Sequence, residues 1–397
     1  MSPSSSSSSS SSKNLSILFI FFIIIFFSFL VPSAGTESNH PSIGITYNNR
    51  GGTTTHQIVS LLQSLKINSI RLPDSDPEII RSFSYSGISL LLSIPNSLIT
   101  QIASNQSEAL HWLNHHVTPF YPRVHISTIS VGNNVLDEKE KEEEEEATSD
   151  SNHSDFLLSA MENVRQALDE LGIDKIKVST TFSFINVITT AFPPSSAEFQ
   201  QPLAESLMKP LLGFLSETNS SFLINLYPYN LYRNNPEITI GYAIFQEHPF
   251  VFRDDLLTGV RYRNLFDMMV DSVLTAMALQ GHENIPLIVT ETGWPSSDES
   301  KDMDANHVYA ELYIKGLVRH LKSGFGTPLR RDGVAETYVF ELVDDETKDN
   351  AQTRRHWGIL YPNMTKKYDL DFSGSIGMSD MSMMPFGIWL FAVMLMR

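Results

Sequence analysis

The sequence contains no cysteine. That excludes a disulfide framework, thiol chemistry and cysteine-ligated zinc, but it does not argue against export, because a large core needs no staples. No Gly-x-Gly-x-x-Gly or Gly-x4-Gly-Lys-Ser/Thr loop follows any apolar run, so nothing cradles a nucleotide phosphate. The 12 histidines form no His-Glu-x-x-His, and neither a metal nor any other cofactor is expected. Basic residues are scarce, with 28 Lys and Arg against 45 Asp and Glu for a formal charge of −17, which argues against a nucleic-acid partner. The acidity is also local. Asp137 to Glu146 reads DEKEKEEEEE, eight acids and two lysines. Together with the polar residues up to Ser154 it reads as a solvated loop insert over 137–154, not as a sign of an acidic substrate.

Both ends look like processing signals. Residues 1–14 are serine-rich with a single Lys13, Leu15–Leu30 is an almost unbroken run of Leu, Ile and Phe, and the small residues Ser33, Ala34 and Gly35 follow. This predicts a secretory signal peptide over 1–34, removed in the mature protein; the length of the apolar run leaves an uncleaved anchor as the alternative. At the other end, Ser373-Gly374-Ser375, a mixed spacer and the apolar Pro385–Met396 follow the order of a lipid-anchor signal over 373–397. A plain apolar C-terminus is the other reading, since the tail is too short to span a bilayer. Asn105, Asn152, Asn219 and Asn363 each open an Asn-x-Ser/Thr sequon. Behind a signal peptide these become candidate glycosylation sites. The expected location is extracellular, either released or on the outer face of the plasma membrane.

Between the signals, short apolar runs alternate with segments of helical period. The strand candidates are 42–48, 69–74, 89–95, 126–134, 177–182, 222–229, 286–294 and 336–344. Ile58, Leu61, Leu62 and Leu65 follow helical spacing, as do Leu157, Met161, Val164, Leu168 and Leu171; further helices are expected over 264–280 and 305–322. Strict alternation of buried strands and helices predicts a parallel sheet, and eight repeats favour closure into a single (β/α)8 barrel over 35–372. A monomer is expected. In such a barrel the site lies at the C-terminal ends of the strands. Leu287-Ile288-Val289-Thr290-Glu291 delivers a carboxylate to that end, where Gly293-Trp294-Pro295 stops the run. The other strand ends carry Tyr47 and Asn48, Arg71 and Asp74, Asn96, Gly132-Asn133-Asn134, Tyr227-Pro228-Tyr229 and Glu341 to Glu346. Aromatics, amides and carboxylates on one rim suit a sugar: rings stack on pyranose faces, and amides and acids bind hydroxyls.

These segments carry a resemblance. Ile43-Gly44-Ile45, Arg71-Leu72, Ser93-Ile94-Pro95-Asn96, Val131-Gly132-Asn133 and Asn225-Leu226-Tyr227-Pro228-Tyr229 resemble the plant 1,3-β-glucanases of glycoside hydrolase family 17. So do Asn264-Leu265-Phe266-Asp267, Glu291-Thr292-Gly293-Trp294-Pro295-Ser296, Tyr338-Val339-Phe340-Glu341 and His356-Trp357-Gly358, and the likeness runs over about residues 42–372. It implies a (β/α)8 barrel acting on internal 1,3-β-glucosidic bonds with retention of configuration. It also implies Glu291 as nucleophile, with Tyr47, Asn133, Tyr227 and Trp294 as substrate-binding residues.

At the general acid/base the resemblance fails. The family's Val-Gly-Asn-Glu reads Val131-Gly132-Asn133-Asn134 here. A retaining glycosidase needs two carboxyl groups roughly 5–5.5 Å apart, one to attack and one to shuttle the proton. An amide donates hydrogen bonds but has no titrating proton near neutral pH. Near strand eight, Asp345 and Lys348 align with a Glu and a Lys that the family uses to orient the site, and Val343 replaces a usual Phe. Asp344, Asp345 and Glu346 are therefore candidates for a substitute acid. Two functions stay open: a weakened 1,3-β-glucan hydrolase, and a non-hydrolytic 1,3-β-glucan-binding protein of the cell surface.

Overall fold

Each barrel strand is a run of four to nine residues, mostly apolar or β-branched. Such runs suit burial between two layers better than one face of a helix. The computed structural model describes residues 41–48, 55–136, 153–246, 248–298, 302–344 and 355–373. The expected signal peptide, nearly all of the acidic insert, the C-terminal tail, Asn152, Asp345, Glu346 and Lys348 lie outside the described residues.

The strands are β1 (Ser42–Thr46), β2 (Ser69–Leu72), β3 (Ser89–Ile94), β4 (His125–Asn133), β5 (Lys177–Ser183), β6 (Phe222–Asn225), β7 (Leu287–Thr292) and β8 (Glu336–Val339). All pair in parallel in chain order. The sheet closes where β8 meets β1, with Ser42 opposite Glu336 and Ile45 opposite Val339. The connections carry α1 (Thr55–Ser64), α2 (Pro77–Ser82), α3 (Ile99–Ser104), α4 (Gln106–His116), α5 (His153–Glu170), α6 (Lys209–Glu217), α7 (Pro228–Asn234), α8 (Leu265–Leu279) and α9 (His307–Lys322). The fold is a (β/α)8 barrel, as the alternation predicts. Local chemistry sets the helix starts. Asn264 Oδ1 accepts from the Asp267 backbone N–H at 2.8 Å, and Asn306 Oδ1 from that of Tyr309 at 2.9 Å.

Two expected strands stop well short of their expected ends, 336–344 at Val339 and 222–229 at Asn225. Over 222–229, β6 ends at Asn225 because Pro228 takes the first position of α7, where a missing N–H costs nothing. Tyr227 thus sits in a loop between strand and helix.

The core has two layers. The larger packs helices on strands, and Trp112 belongs to it at 4% exposure. The lumen is filled by Leu91, Leu223, Ile288 and Tyr338. Gly44 of β1 makes room for the last of these, since a methyl there would stand 2.5 Å from the Tyr338 ring. Among the described residues no helix is long and apolar enough to cross a membrane.

On α8, Asp271 is fully buried and accepts the Leu329 N–H at 3.0 Å. Burial pushes its carboxyl up to about 7. The unfolded chain, with a carboxyl near its ordinary 3.9, releases this proton first, so the contribution of Asp271 to stability is fully present below about pH 4 and is lost as pH rises towards 7. Denaturant titrations should show Asp271→Asn flattening that slope, which one proton sets at no more than about 1.4 kcal/mol per pH unit.

Candidate active site

Three strand ends bulge where the side chains of interest emerge. The register slips between Ser130 and Asn133 against β5, between Ile224 and Asn225 against β7, and between Thr337 and Val339 on β8. Gly132 (φ +80°) and Asn134 (φ +52°) are left-handed. A Cβ on Gly132 would also meet Val135 at 2.6 Å. In a straight strand Asn133 and Asn134 would face opposite sides. Here the bulge turns both towards the same partner, Asn225.

Glu291 is buried at 7% exposure and receives two donors. The Arg71 guanidinium, itself fully buried, ion-pairs with Oε1, and the Tyr227 hydroxyl donates to Oε2 at 2.6 Å. Burial, then the Glu291 charge, holds the Tyr227 phenol well above the usual tyrosine range, so it stays a donor. Arg71 Nη2 also donates to Asn133 Oδ1 at 2.9 Å. Asn225 Nδ2 donates to Asn133 Oδ1 at 3.1 Å and to Asn134 Oδ1 at 3.0 Å, while Thr290 Oγ1 donates to Asn225 Oδ1 at 2.8 Å. Asn96 clamps the Asn133 backbone, accepting from its N–H at 2.8 Å and donating to its carbonyl at 3.0 Å. One connected network therefore runs from Glu291 to position 134.

Beside it lie half-buried rings. Tyr227 meets Trp357 edge-on at 5.2 Å and Phe340 at 6.0 Å between centroids. Glu341, 4% exposed, accepts from Asn48 Nδ2 at 2.9 Å.

The structure brings Glu291, Asn133, Asn134 and Tyr227 together. It corrects two other expectations. Trp294 is 1% exposed; its indole N–H donates to the Asp304 carbonyl at 2.8 Å, and its ring packs on Tyr229 and Tyr313. It is a core residue and offers no face to a ligand. Asp344 is no free acid either. Lys367 Nζ lies 2.5 Å from its Oδ2, and the Gly358 N–H donates to its Oδ1 at 2.9 Å. That pair knits the segment after β8 together. Tyr47, 4% exposed, sits beneath the rim, and burial and then Asp74 push its phenol up. His111 and His115 stand four apart on α4, but no group of three His, Cys, Asp or Glu gathers among the described residues. The sequence reading gave Asn225 no role; its signals are an amide closing the apolar run Phe222-Leu223-Ile224 and its place at the head of the Asn225–Tyr229 segment.

A carboxylate on β7, bracketed by an arginine and a tyrosine and faced by amides and half-buried rings, defines a (β/α)8 barrel of the glycosidase type. The chain belongs to the glycosyl hydrolases family 17, which it matches over residues 43–372. It is 38% identical over 322 residues to the glucan endo-1,3-beta-glucosidase 2 of Arabidopsis thaliana, covering 80% of this chain and 61% of that protein. To the glucan endo-1,3-beta-glucosidase of Vitis vinifera it is 33% identical over 336 residues, covering 84% of this chain and 92% of that one. It spans 60–62% of the length of the Arabidopsis glucan endo-1,3-beta-glucosidases 2, 3, 12 and 13. Among solved structures it is similar to CJP38, a beta-1,3-glucanase and allergen of Cryptomeria japonica pollen. The TM-score is 0.75 at 34% identity, over 83% of this chain and 99% of that one. A plant beta-glucan endohydrolase gives a TM-score of 0.71 at 30% identity, with the same coverage.

Proposed function

We propose that this protein is an extracellular 1,3-β-glucan-recognising member of the family, with Glu291 in the nucleophile's place and hydrolysis of natural glucan impaired. The observation that carries the reading is Asn134. Its side chain is tied through Asn225 and Asn133 to the arginine that holds Glu291, where retaining chemistry needs a carboxyl group. Attack by Glu291 on an anomeric carbon remains feasible in this arrangement, because Arg71 and Tyr227 fix the direction of the carboxylate. What Asn134 cannot supply is the proton for a sugar leaving group and the base for the attacking water. Binding needs neither step. Asn133, Tyr227 and the half-buried Trp357 ring are the groups we assign to it.

Extracellular placement rests on the Leu15–Leu30 run and the small residues behind it. Asn105, Asn219 and Asn363 are exposed, as glycan acceptors must be. Whether the C-terminal tail is exchanged for a lipid decides only between release and attachment at the outer membrane face. Protein recovered from the medium of expressing plant cells should be retarded in affinity electrophoresis through laminarin. Trp357→Ala should weaken the retention about 2- to 10-fold. Free migration of the native protein would sink glucan recognition, and recovery only from inside the cells would sink the extracellular placement.

A further inference from the structure

The polarity of the amide network follows from one residue. Arginine only donates, so the Asn133 atom facing Arg71 Nη2 at 2.9 Å is the carbonyl oxygen. The Asn225 atom 3.1 Å from that same oxygen must then be its NH2 group. That NH2 group also lies 3.0 Å from Asn134, whose contacting atom is therefore Oδ1. Thr290 Oγ1, 2.8 Å from Asn225, meets the remaining oxygen. No amide in this network can be reversed without setting donor against donor or acceptor against acceptor.

The Asn134 carbonyl is thus spent on Asn225, which leaves its NH2 as the donor not used in this contact. The residue is only half-buried, and its backbone is fixed by its N–H to the Thr181 carbonyl at 2.9 Å. We propose that Asn134 acts as a fixed hydrogen-bond donor to an acceptor oxygen of a bound glucan, the bridging oxygen between two sugars, and that Asn225 is the residue positioning it. This rests on the glucan reading above and deepens it. Where hydrolysis needs a proton released to that oxygen, the amide holds the oxygen with a hydrogen that never leaves. The site then favours an intact chain lying across it. Asparagine also suits the left-handed backbone of position 134 better than a longer acid does.

The test compares native protein, Asn134→Asp and Asn225→Ala by calorimetric titration with laminarihexaose between pH 3.5 and 7.5. Aspartate has nearly the same shape and can accept from Asn225 as before, but it presents an anionic oxygen where the amide presents N–H. Affinity of Asn134→Asp at pH 7.5 should fall about 10- to 100-fold and recover as the pH drops through the ordinary aspartate range, where the protonated acid donates again. The titratable groups in the network, Glu291, Tyr227 and Arg71, are common to native and variant, so the difference between their profiles reports position 134. Asn225→Ala should weaken binding at every pH without creating that profile. Equal binding of native and Asn134→Asp at pH 7.5 would overturn the donor role and leave glucan recognition standing. No binding by the native protein at any pH would overturn both.

Discussion

Asn134→Glu should raise reducing-end release from soluble 1,3-β-glucan by about 10²- to 10⁴-fold over the native protein, the usual contribution of a general acid/base. The gain is expected because the rest of the arrangement is in place. Glu291 is oriented by Arg71 and Tyr227, and Asn225 Nδ2 is aimed at whatever acceptor residue 134 presents. A longer acid must take up the left-handed φ of +52°, so the variant should also be roughly 1 kcal/mol less stable. Glu291→Gln should be silent in both backgrounds. On an aryl glucoside whose leaving group needs no proton, the native protein should already react, and Glu291→Gln should abolish the reaction. Cleavage of natural glucan by the native protein, lost only with Glu291→Gln, would mean that another group delivers the proton. Glu341, buried on the same rim, would then be the first residue to replace. Silence from native and Asn134→Glu alike would mean that the cleft has diverged beyond its acid.

Arg71→Met should cost about 3–5 kcal/mol of stability. The side chain is wholly buried, pairs with a carboxylate that is itself nearly buried, and donates to Asn133. Removing it strands Glu291 without its counter-charge, and stranding one member of a buried pair is far more damaging than replacing both. The double variant Arg71→Met/Glu291→Gln should therefore recover much of the loss, with a coupling of about 0.5–3 kcal/mol in a denaturant-titration cycle. Strict additivity would show that Arg71 stabilises the barrel through packing alone. Loss of Arg71 should also release the amide orientations, so the glucan affinity of the single variant should fall along with its stability.

Much of this was legible without coordinates because it is written in local pattern. All eight strands were readable, since a short apolar run bounded by polar or turn residues has few other uses. Glu291, Asn133, Asn134 and Tyr227 were legible as residues at strand ends. Trp294 was misread for the same reason. Position along the chain says that a residue stands near the rim, but not which way its ring points. The segment after β7 carries that indole back under the loop to the Asp304 carbonyl. Asp344 was misread likewise, because its partner Lys367 lies 23 residues further on.

The sequence by itself determined the barrel, and it placed Glu291, Asn133 and Asn134 at one end of it, because strand period and residue identity are local properties. Only the tertiary structure decided what the amides do. Arg71, Asn133, Asn225 and Glu291 come from four different strands, up to 220 residues apart. Donor and acceptor roles among them are settled by mutual geometry at about 3 Å. That geometry exists only once the sheet has closed and its bulges have turned these side chains towards one another.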